Sequence, residues 1–331
     1  MKKILITGAD GFIGSHLTER LVKSGYDVTA YVYYNSFNSW GWLDDVDKKI
    51  INNLKIISGD IRDFQSIFNA SKKIDCIINL AALIGIPYSY SSPESYIHTN
   101  IIGTSNILNA GLRNGVSKII HTSTSEVYGT TKKLPIAESA SLNAQSPYAA
   151  TKIAADQLAL SYYRSFEAPV AILRPFNTFG PRQSARAIIP NIISQLISNE
   201  RVKVGNLKPT REFNYIDDTV NAFKLAINNK KIIGNVINVG NGYDISIREL
   251  GVLISEIVNK KIKFDIIKSR IRQSKTEVQN LRADNKKAKK ILKWSPKFGE
   301  NSGLVKGLKK TIEWFSDPKN LQKYKKDIYN I

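Results

Sequence analysis

Two short stretches of this chain carry side chains able to move protons. "HTSTSEVYGTT" (121–131) sets Thr124, Ser125 and Glu126 in a row just past the apolar run Lys118-Ile119-Ile120. Further on, "YAATK" (148–152) adds a phenol and an amine, Tyr148 and Lys152. A phenol titrates at about pH 10, so its basic form is scarce at neutral pH unless a cation favours it. Residues four apart on a helix share a face, which lets Lys152 lower the pKa of Tyr148. Any exposed helix can carry such a pair. What points to chemistry is its position, after a strand-end hydroxyl cluster and with a glycine-rich turn upstream. Glu126 reads either as a second acid/base group or as a cap or exposed strand-end acid.

Such groups act together only on a scaffold that converges them. The first half alternates short apolar runs with amphipathic segments. "KKILITG" reads as a strand, and "FIGSHLTERLVKSG" spaces Phe12, Ile13, Leu17, Leu21 and Val22 along one helical face, ending at Gly25. "YDVTAYVYY", "LKIISGD", "DCIINLAA", "SKIIHTS" and "PVAILRPFN" read as further strands, with helix-like "TSNILNAGLRNG" and "YAATKIAADQLALSYYRSF" among them. This alternation predicts an α/β fold, a doubly wound parallel (Rossmann) sheet with right-handed crossovers, joined to a smaller mixed α/β lobe. The dinucleotide-binding domain is expected over 1–175. "DDTVNAFKLAINN" and "NVINVG" read as a helix and strand that rejoin it, at about 212–242. The substrate lobe takes 176–211 and 243–331, with helix patterns at 188–198, 247–258 and 303–315.

"TGADGFIG" places Gly8, Gly11 and Gly14 after the first strand and at the head of a helix. A tight turn and close backbone approach need glycine there, and the helix N-terminus offers free N–H groups to a pyrophosphate. The expected dinucleotide contacts are Gly8, Asp10, Gly11, Phe12, Ile13 and Gly14. Asp60 and Ile61 after the third strand, and Leu80, Ala81 and Ala82 after the fourth, are placed to flank adenine and ribose. Asp60 would serve equally as a helix N-cap. The second strand ends "YVYYNS", without the acid that usually takes a ribose 2′-hydroxyl and without a cation for a 2′-phosphate. Tyr33, Tyr34 and Ser36 can hydrogen-bond either form, so the sequence leaves NAD and NADP open.

The 331 residues, 42% of them hydrophobic, suffice for two domains around ample cores. The single cysteine, Cys76, excludes a disulfide framework and makes a reducing cytoplasm the expected compartment. "MKKILITGAD" is too short an apolar stretch for a signal peptide, and the run 76–87 falls short of a membrane span. The net charge of +20 is spread widely, and its lysine clusters at 286–290 and 306–326 fit solvated helix faces. Neither a nucleic-acid partner nor a membrane partner is expected. Three scattered histidines make a metal site unexpected.

With Gly8/Gly11/Gly14, "NLAA", Tyr148-x-x-x-Lys152 and "LRPFNTFGP", the chain resembles the extended short-chain dehydrogenase/reductases, in their sugar-nucleotide epimerase and dehydratase branch. The resemblance continues through "REFNYIDD" (211–218) and "RQSKTEVQNLRADNKKAKKILKWSPKF" (272–298). It implies a tightly bound NAD or NADP regenerated each turnover, with Lys152 also on the nicotinamide ribose. Thr124 would hydrogen-bond the 4-hydroxyl of a nucleotide-linked sugar, and Tyr148 would take its proton as C4 gives up hydride. A 4-epimerase needs only that and a ring rotation. A 4,6-dehydratase also needs a base for the C5 proton and an acid for the departing 6-hydroxyl. Glu126 is the natural base. The dTDP-glucose type places Asp before that Glu, whereas Ser125 stands here, as in GDP-mannose 4,6-dehydratases. Glu126 would then pass the proton to the 6-hydroxyl, through Ser125 or water. UDP-glucuronate decarboxylases look similar at these positions.

By the same resemblance Asn177 and Arg211 hold the nucleotide diphosphate, and Arg272 and Glu277 close over the nucleotide. Gln273 follows Arg272 where Pro is common. The stretch "YNSFNSWGWLDD" (34–45) resembles the NAD-dependent 4,6-dehydratases that open legionaminic acid biosynthesis, which implies a UDP- or GDP-linked N-acetylglucosamine. Trp40 and Trp42 would pack over the cofactor, against a neighbouring subunit, or as local core. Along the Tyr148 helix, Ala150, Ile153, Ala154, Leu158 and Ala159 form a small apolar face suited to a homodimer or tetramer, or to burial within the monomer. Outside catalysis, the same scaffold could serve a nucleotide-sensing binding protein.

Overall fold

The computed structural model describes residues 1–273 and 275–324. The end of the expected substrate lobe, and of the lysine cluster at 306–326, lies outside the described residues. Six strands, β1 (Lys3–Thr7), β2 (Asp27–Tyr33), β3 (Leu54–Gly59), β4 (Cys76–Asn79), β5 (Lys118–Thr122) and β6 (Val170–Pro175), join a seventh, Val236–Val239, in one sheet. Every pairing is parallel, in the order Val236–Val239, β6, β5, β4, β1, β2, β3. Helices cover both faces, which is why strands such as β4 and β6 are buried throughout and mostly apolar, without alternation. The chain winds one way from β1 to β3 and the other from β4 onward. A crevice therefore opens at the carboxyl ends of β1 and β4, where ligands of such sheets sit.

Helix α1 (Phe12–Lys23) lays Leu17 and Leu21 on the sheet, with Phe12, Ile13 and Val22 partly buried beside them. Helices occupy Ile188–Ser198 and Ile247–Val258, and the 303–315 pattern lies within Glu300–Ser316. The second of these starts at a capping box formed by Ser246 and Glu249. In the smaller lobe, Thr210–Glu212 pairs with Asp244–Ser246 on one side and Asn280–Leu281 on the other. Asp218 fastens the late segment to helix Ile216–Asn228. Its carboxylate accepts the Lys297 and Phe298 N–H groups, both at 2.8 Å, and its carbonyl accepts Trp294 Nε1 at 2.9 Å.

The face proposed for subunit contact is divided. Ala159 and Leu158 belong to an inner core with Ile107 and Ile119, Ile153 packs on Val127 and Tyr128, and Ala150 is exposed. No helix among the described residues is long and apolar enough to cross a membrane, and they hold no group of three or more potential metal ligands.

Candidate functional site

The crevice is a cleft of about 1440 Å³. It exceeds the roughly 300–1,000 Å³ of a site for one drug-sized ligand. There is space for a dinucleotide and a second nucleotide-sized ligand end to end.

At its sheet end the glycine turn is sterically determined. Gly8 has φ +69°, and a Cβ there would lie 2.8 Å from the Ala81 nitrogen. A Cβ on Gly14 would lie 2.0 Å from the Gly8 carbonyl oxygen. The Gly11 N-cap supplies no side-chain hydrogen bond, so the first N–H groups of α1 remain for an anion. Asp10, Phe12, Ile13, Tyr33, Asp60, Ile61, Leu80, Ala81 and Ala82 all line this end. These residues fit a dinucleotide: small at the pyrophosphate, apolar where adenine would lie. Asp60 is not a helix cap. Asp63 takes that role by accepting the Gln65 and Ser66 N–H groups, while Asp60 receives Arg62 Nε at 3.0 and 2.9 Å. Burial acts to raise the Asp60 pKa, but the Arg62 hydrogen bonds hold it below the ordinary value. Trp42 is local core, against Trp314 and Tyr324 at 5.7 and 5.8 Å between ring centres, and Trp40 is partly exposed.

At the centre, β5 delivers its following residues into the crevice. The Thr124 hydroxyl accepts the Glu126 N–H at 3.2 Å and caps a single 3₁₀ turn, Ser125–Tyr128. That turn folds Ser125 and Glu126 inward, to 1% and 9% exposure, so Glu126 is no exposed strand-end acid. The facing helix, Pro147–Phe166, begins where Ser146 accepts the Ala149 N–H and Pro147 takes the first position. Tyr148, Lys152 and Asp156 then follow at one-turn intervals, all buried. Burial pushes the Tyr148 phenol up, and a hydrogen bond with Thr124 partly offsets this. The negative charge of Glu126 raises it further. Burial pulls the Lys152 ammonium down to about 8, against the attraction of Asp156. Lys152 Nζ donates to the Thr122 carbonyl at 2.6 Å. The phenol is thus held neutral at pH 7, while Lys152 keeps most of its charge at a desolvation cost. A ligand that adds positive charge beside Tyr148 would favour its phenolate.

Beneath these groups lies a buried polar chain that sequence reasoning missed. Asp156 receives Ser123 Oγ at 2.7 Å and Arg174 at 3.0 and 2.8 Å, and His121 Nε2 lies 3.4 Å from its other oxygen. Burial acts to raise Asp156, but these partners hold it below its ordinary value. Asn100 was also missed. It brackets Leu83, accepting its N–H at 2.9 Å and donating to its carbonyl at 3.0 Å, and it donates to Thr151 at 3.1 Å. It thereby fixes the loop after β4 against the Tyr148 helix. It lies buried inside a π-helical turn, Ile97–Ile102, and nothing in the polar-rich sequence around it singled it out.

Asn177, Arg211, Arg272 and Glu277 also line the cleft, and the last three come together. Glu277 Oε1 lies 3.3 Å from Arg211 and 4.0 Å from Arg272, one acid between two guanidinium groups. Burial lowers the Arg211 pKa, while Glu126 and Glu277 oppose that. The arrangement keeps net positive charge available to a diphosphate.

A family model described as GDP-mannose 4,6 dehydratase matches residues 5–306. A dTDP-D-glucose 4,6-dehydratase of Mus musculus is 31% identical over 334 residues, 98% of this chain and 91% of that protein. A UDP-N-acetyl-alpha-D-glucosaminuronate decarboxylase of Bacillus cytotoxicus is 33% identical over 331 residues, covering 96% and 99%. Among solved structures, a variant UDP-glucuronic acid 4-epimerase of Bacillus cereus, in complex with UDP-4-deoxy-4-fluoro-glucuronic acid and NAD, superimposes with TM-score 0.86. It is 31% identical, covering 94% of this chain and 98% of that one.

Proposed function

Because the chain belongs to the GDP-mannose 4,6-dehydratase family of NAD-dependent sugar-nucleotide enzymes, we propose that it is a 4,6-dehydratase acting on a UDP- or GDP-linked N-acetylglucosamine. The observation that carries this reading is buried Glu126, whose charge acts on both the Tyr148 phenol and the Arg211 guanidinium. A 4-epimerase, the alternative reading, does not require a second acid/base there. Held by the glycine turn and the residues lining that end of the cleft, NAD would supply hydride acceptance from C4 and hydride return to C6. Tyr148, hydrogen-bonded with Thr124, accepts the 4-hydroxyl proton and releases it to solvent, and C5 takes up a solvent proton when C6 receives the hydride. The resulting ketone makes the C5 proton acidic, and Glu126 takes it as the C5–C6 double bond forms. The 6-hydroxyl leaves as water with a proton passed from Glu126 through Ser125 or a water, because serine alone is a poor acid. Asn177 and Arg211 hold the diphosphate, and Arg272 and Glu277 close over the nucleotide. Support for the N-acetylated sugar is the resemblance of residues 34–45 to the enzymes that open legionaminic acid biosynthesis.

The test is to incubate the protein with UDP- and GDP-N-acetylglucosamine in D2O and follow the products by NMR. A new C6 methyl signal, deuterium at C5 and a C4 ketone or its hydrate are expected, and the faster donor names the nucleotide. Inversion at C4 with an unchanged CH2OH would refute dehydration. The decarboxylase relative supplies a second reading, which loss of CO2 from a nucleotide-linked uronate would support. A homo-oligomer belongs to the same proposal: Ile97, Ile102, Tyr163 and Phe166 stay exposed on and beside the Tyr148 helix. Light scattering at the monomer mass would refute it.

A further inference from the structure

In dinucleotide sites of this design an acid at the end of the second strand receives the adenosine ribose 2′-hydroxyl. Here β2 ends at Tyr33, followed by Tyr34 and Asn35, and the usual position carries no acid. The structure brings one there from another part of the chain. Asp10, in the glycine turn, points its carboxylate across to the tip of β2, where Oδ2 accepts the Tyr33 N–H at 3.4 Å. Asp10 and Tyr33 line the same end of the cleft as Gly8, Gly11 and Asp60. We propose that Asp10 takes over the missing role, receiving the 2′-hydroxyl of NAD and rejecting the 2′-phosphate of NADP.

The placement of Asp10 is built, not incidental. The loop after β2 folds back so that Trp42 N–H donates to the Asp10 carbonyl at 3.0 Å. The approach is so close that a Cβ on Gly41, itself at φ +58°, would lie 2.6 Å from the Asp10 carbonyl oxygen and 3.0 Å from its Cβ. That loop is fixed from within, Asn35 bonding Ser39 and Phe37, and Asp44 accepting Ser39 Oγ and the Trp40 N–H. From outside it is held by Trp42 against Trp314 and Tyr324. The Asp10 carboxylate takes hydrogen bonds from backbone N–H groups, its own and that of Tyr33, which leaves lone pairs for a ligand hydroxyl. The cation in reach of a 2′-phosphate at this end, Arg62, has its fork on both oxygens of Asp60, and its charge is met there. A hydroxyl gains a charge-assisted bond at Asp10, and a phosphate meets a like charge.

The inference concerns cofactor binding alone, so it can fail while the sugar chemistry stands, and the reverse. The experiment is calorimetric titration of protein stripped of nucleotide with three ligands: NAD, NADP and the NAD analogue lacking the 2′-hydroxyl of its adenosine ribose. Wild-type protein is expected to bind NAD roughly 10- to 100-fold more tightly than the deoxy analogue, the range for a hydrogen bond to a charged group. NADP should bind more weakly still. In Asp10→Ala and Asp10→Asn the deoxy analogue should bind as NAD does in Asp10→Ala, and nearly so in Asp10→Asn, with NADP gaining relative to both. If Asp10→Ala weakens all three ligands by one factor, Asp10 merely braces the turn and the proposal is wrong. Equal binding of NAD and the deoxy analogue by wild-type protein would overturn it without any variant.

Discussion

Replacing Lys152 by methionine is expected to stabilise the nucleotide-free protein at pH 7 while abolishing its turnover. Lys152 is 4% exposed, and burial brings its ammonium from 10.5 down to about 8. At ~1.36 kcal/mol per pH unit, holding that charge in the fold costs ~3 kcal/mol relative to an exposed lysine. Methionine has similar length and no charge. It also loses the hydrogen bond to the Thr122 carbonyl, worth ~1 kcal/mol, so the net gain at pH 7 is ~2 kcal/mol. The sign with pH follows from linkage. Between about 8 and 10.5 the unfolded chain holds a proton that the folded chain has released, so wild-type stability climbs with pH across that window. Below it the cost is present in full. The advantage of Lys152→Met should therefore be flat up to about pH 8, shrink above it, and turn into a small deficit near pH 10.5. Urea unfolding of both proteins at pH 7, 9 and ~10.5, with NAD removed, measures this directly. A variant less stable at pH 7, or a difference that ignores pH, would refute the reasoning that Lys152 is held against its own desolvation for the sake of the site.

Glu126→Gln should leave C4 oxidation intact but block elimination, so substrate addition leaves reduced nicotinamide and a 4-keto sugar on the enzyme. Absorbance and a rapid quench test this, and normal methyl-group formation would acquit Glu126. Arg211→Lys keeps the charge but loses the planar fork, and KM for the nucleotide sugar should rise ~10-fold or more with a smaller change in kcat. Gly14→Ala sets a methyl 2.0 Å from the Gly8 carbonyl oxygen. It should abolish retention of NAD through purification, read from the absorbance of denatured supernatant, and retention at the wild-type level would contradict the account of the turn.

The strands and helices of the sheet domain were legible because a parallel sheet buried on both sides forces mostly apolar runs, as in β4 and β6, and because the intervening helices carry one apolar face. The glycine turn was legible for a steric reason that holds at every scale. What the sequence hid was pairing at a distance. Asp60 and Asp63 both precede a helix, and only the backbone path tells that Asp63 caps it and Asp60 binds Arg62. The sequence left Trp42 open between cofactor, partner and local core, and only Trp314 and Tyr324, far along the chain, show that it is core. The proton-handling residues stood out by type and spacing, whereas Asp156 and Asn100, which brace their surroundings, lie in stretches whose periodicity reports packing and nothing of the polar partners.

The strand Val236–Val239 has a practical consequence. It covers the outer edge of β6, pairing Ile172 to Pro175 with Val236 to Val239, yet it is made only after the chain has left for the smaller lobe and come back. A fragment cut at residue 175 would hold every residue of the glycine turn and the Tyr–Lys pair. It would also expose a bare strand edge lined by Val170, Ile172 and Leu173, an open template for other copies. The sheet is thus a knot of commitments between early and late synthesis. Dissection of this protein into halves should yield aggregates, because only the whole chain covers that edge.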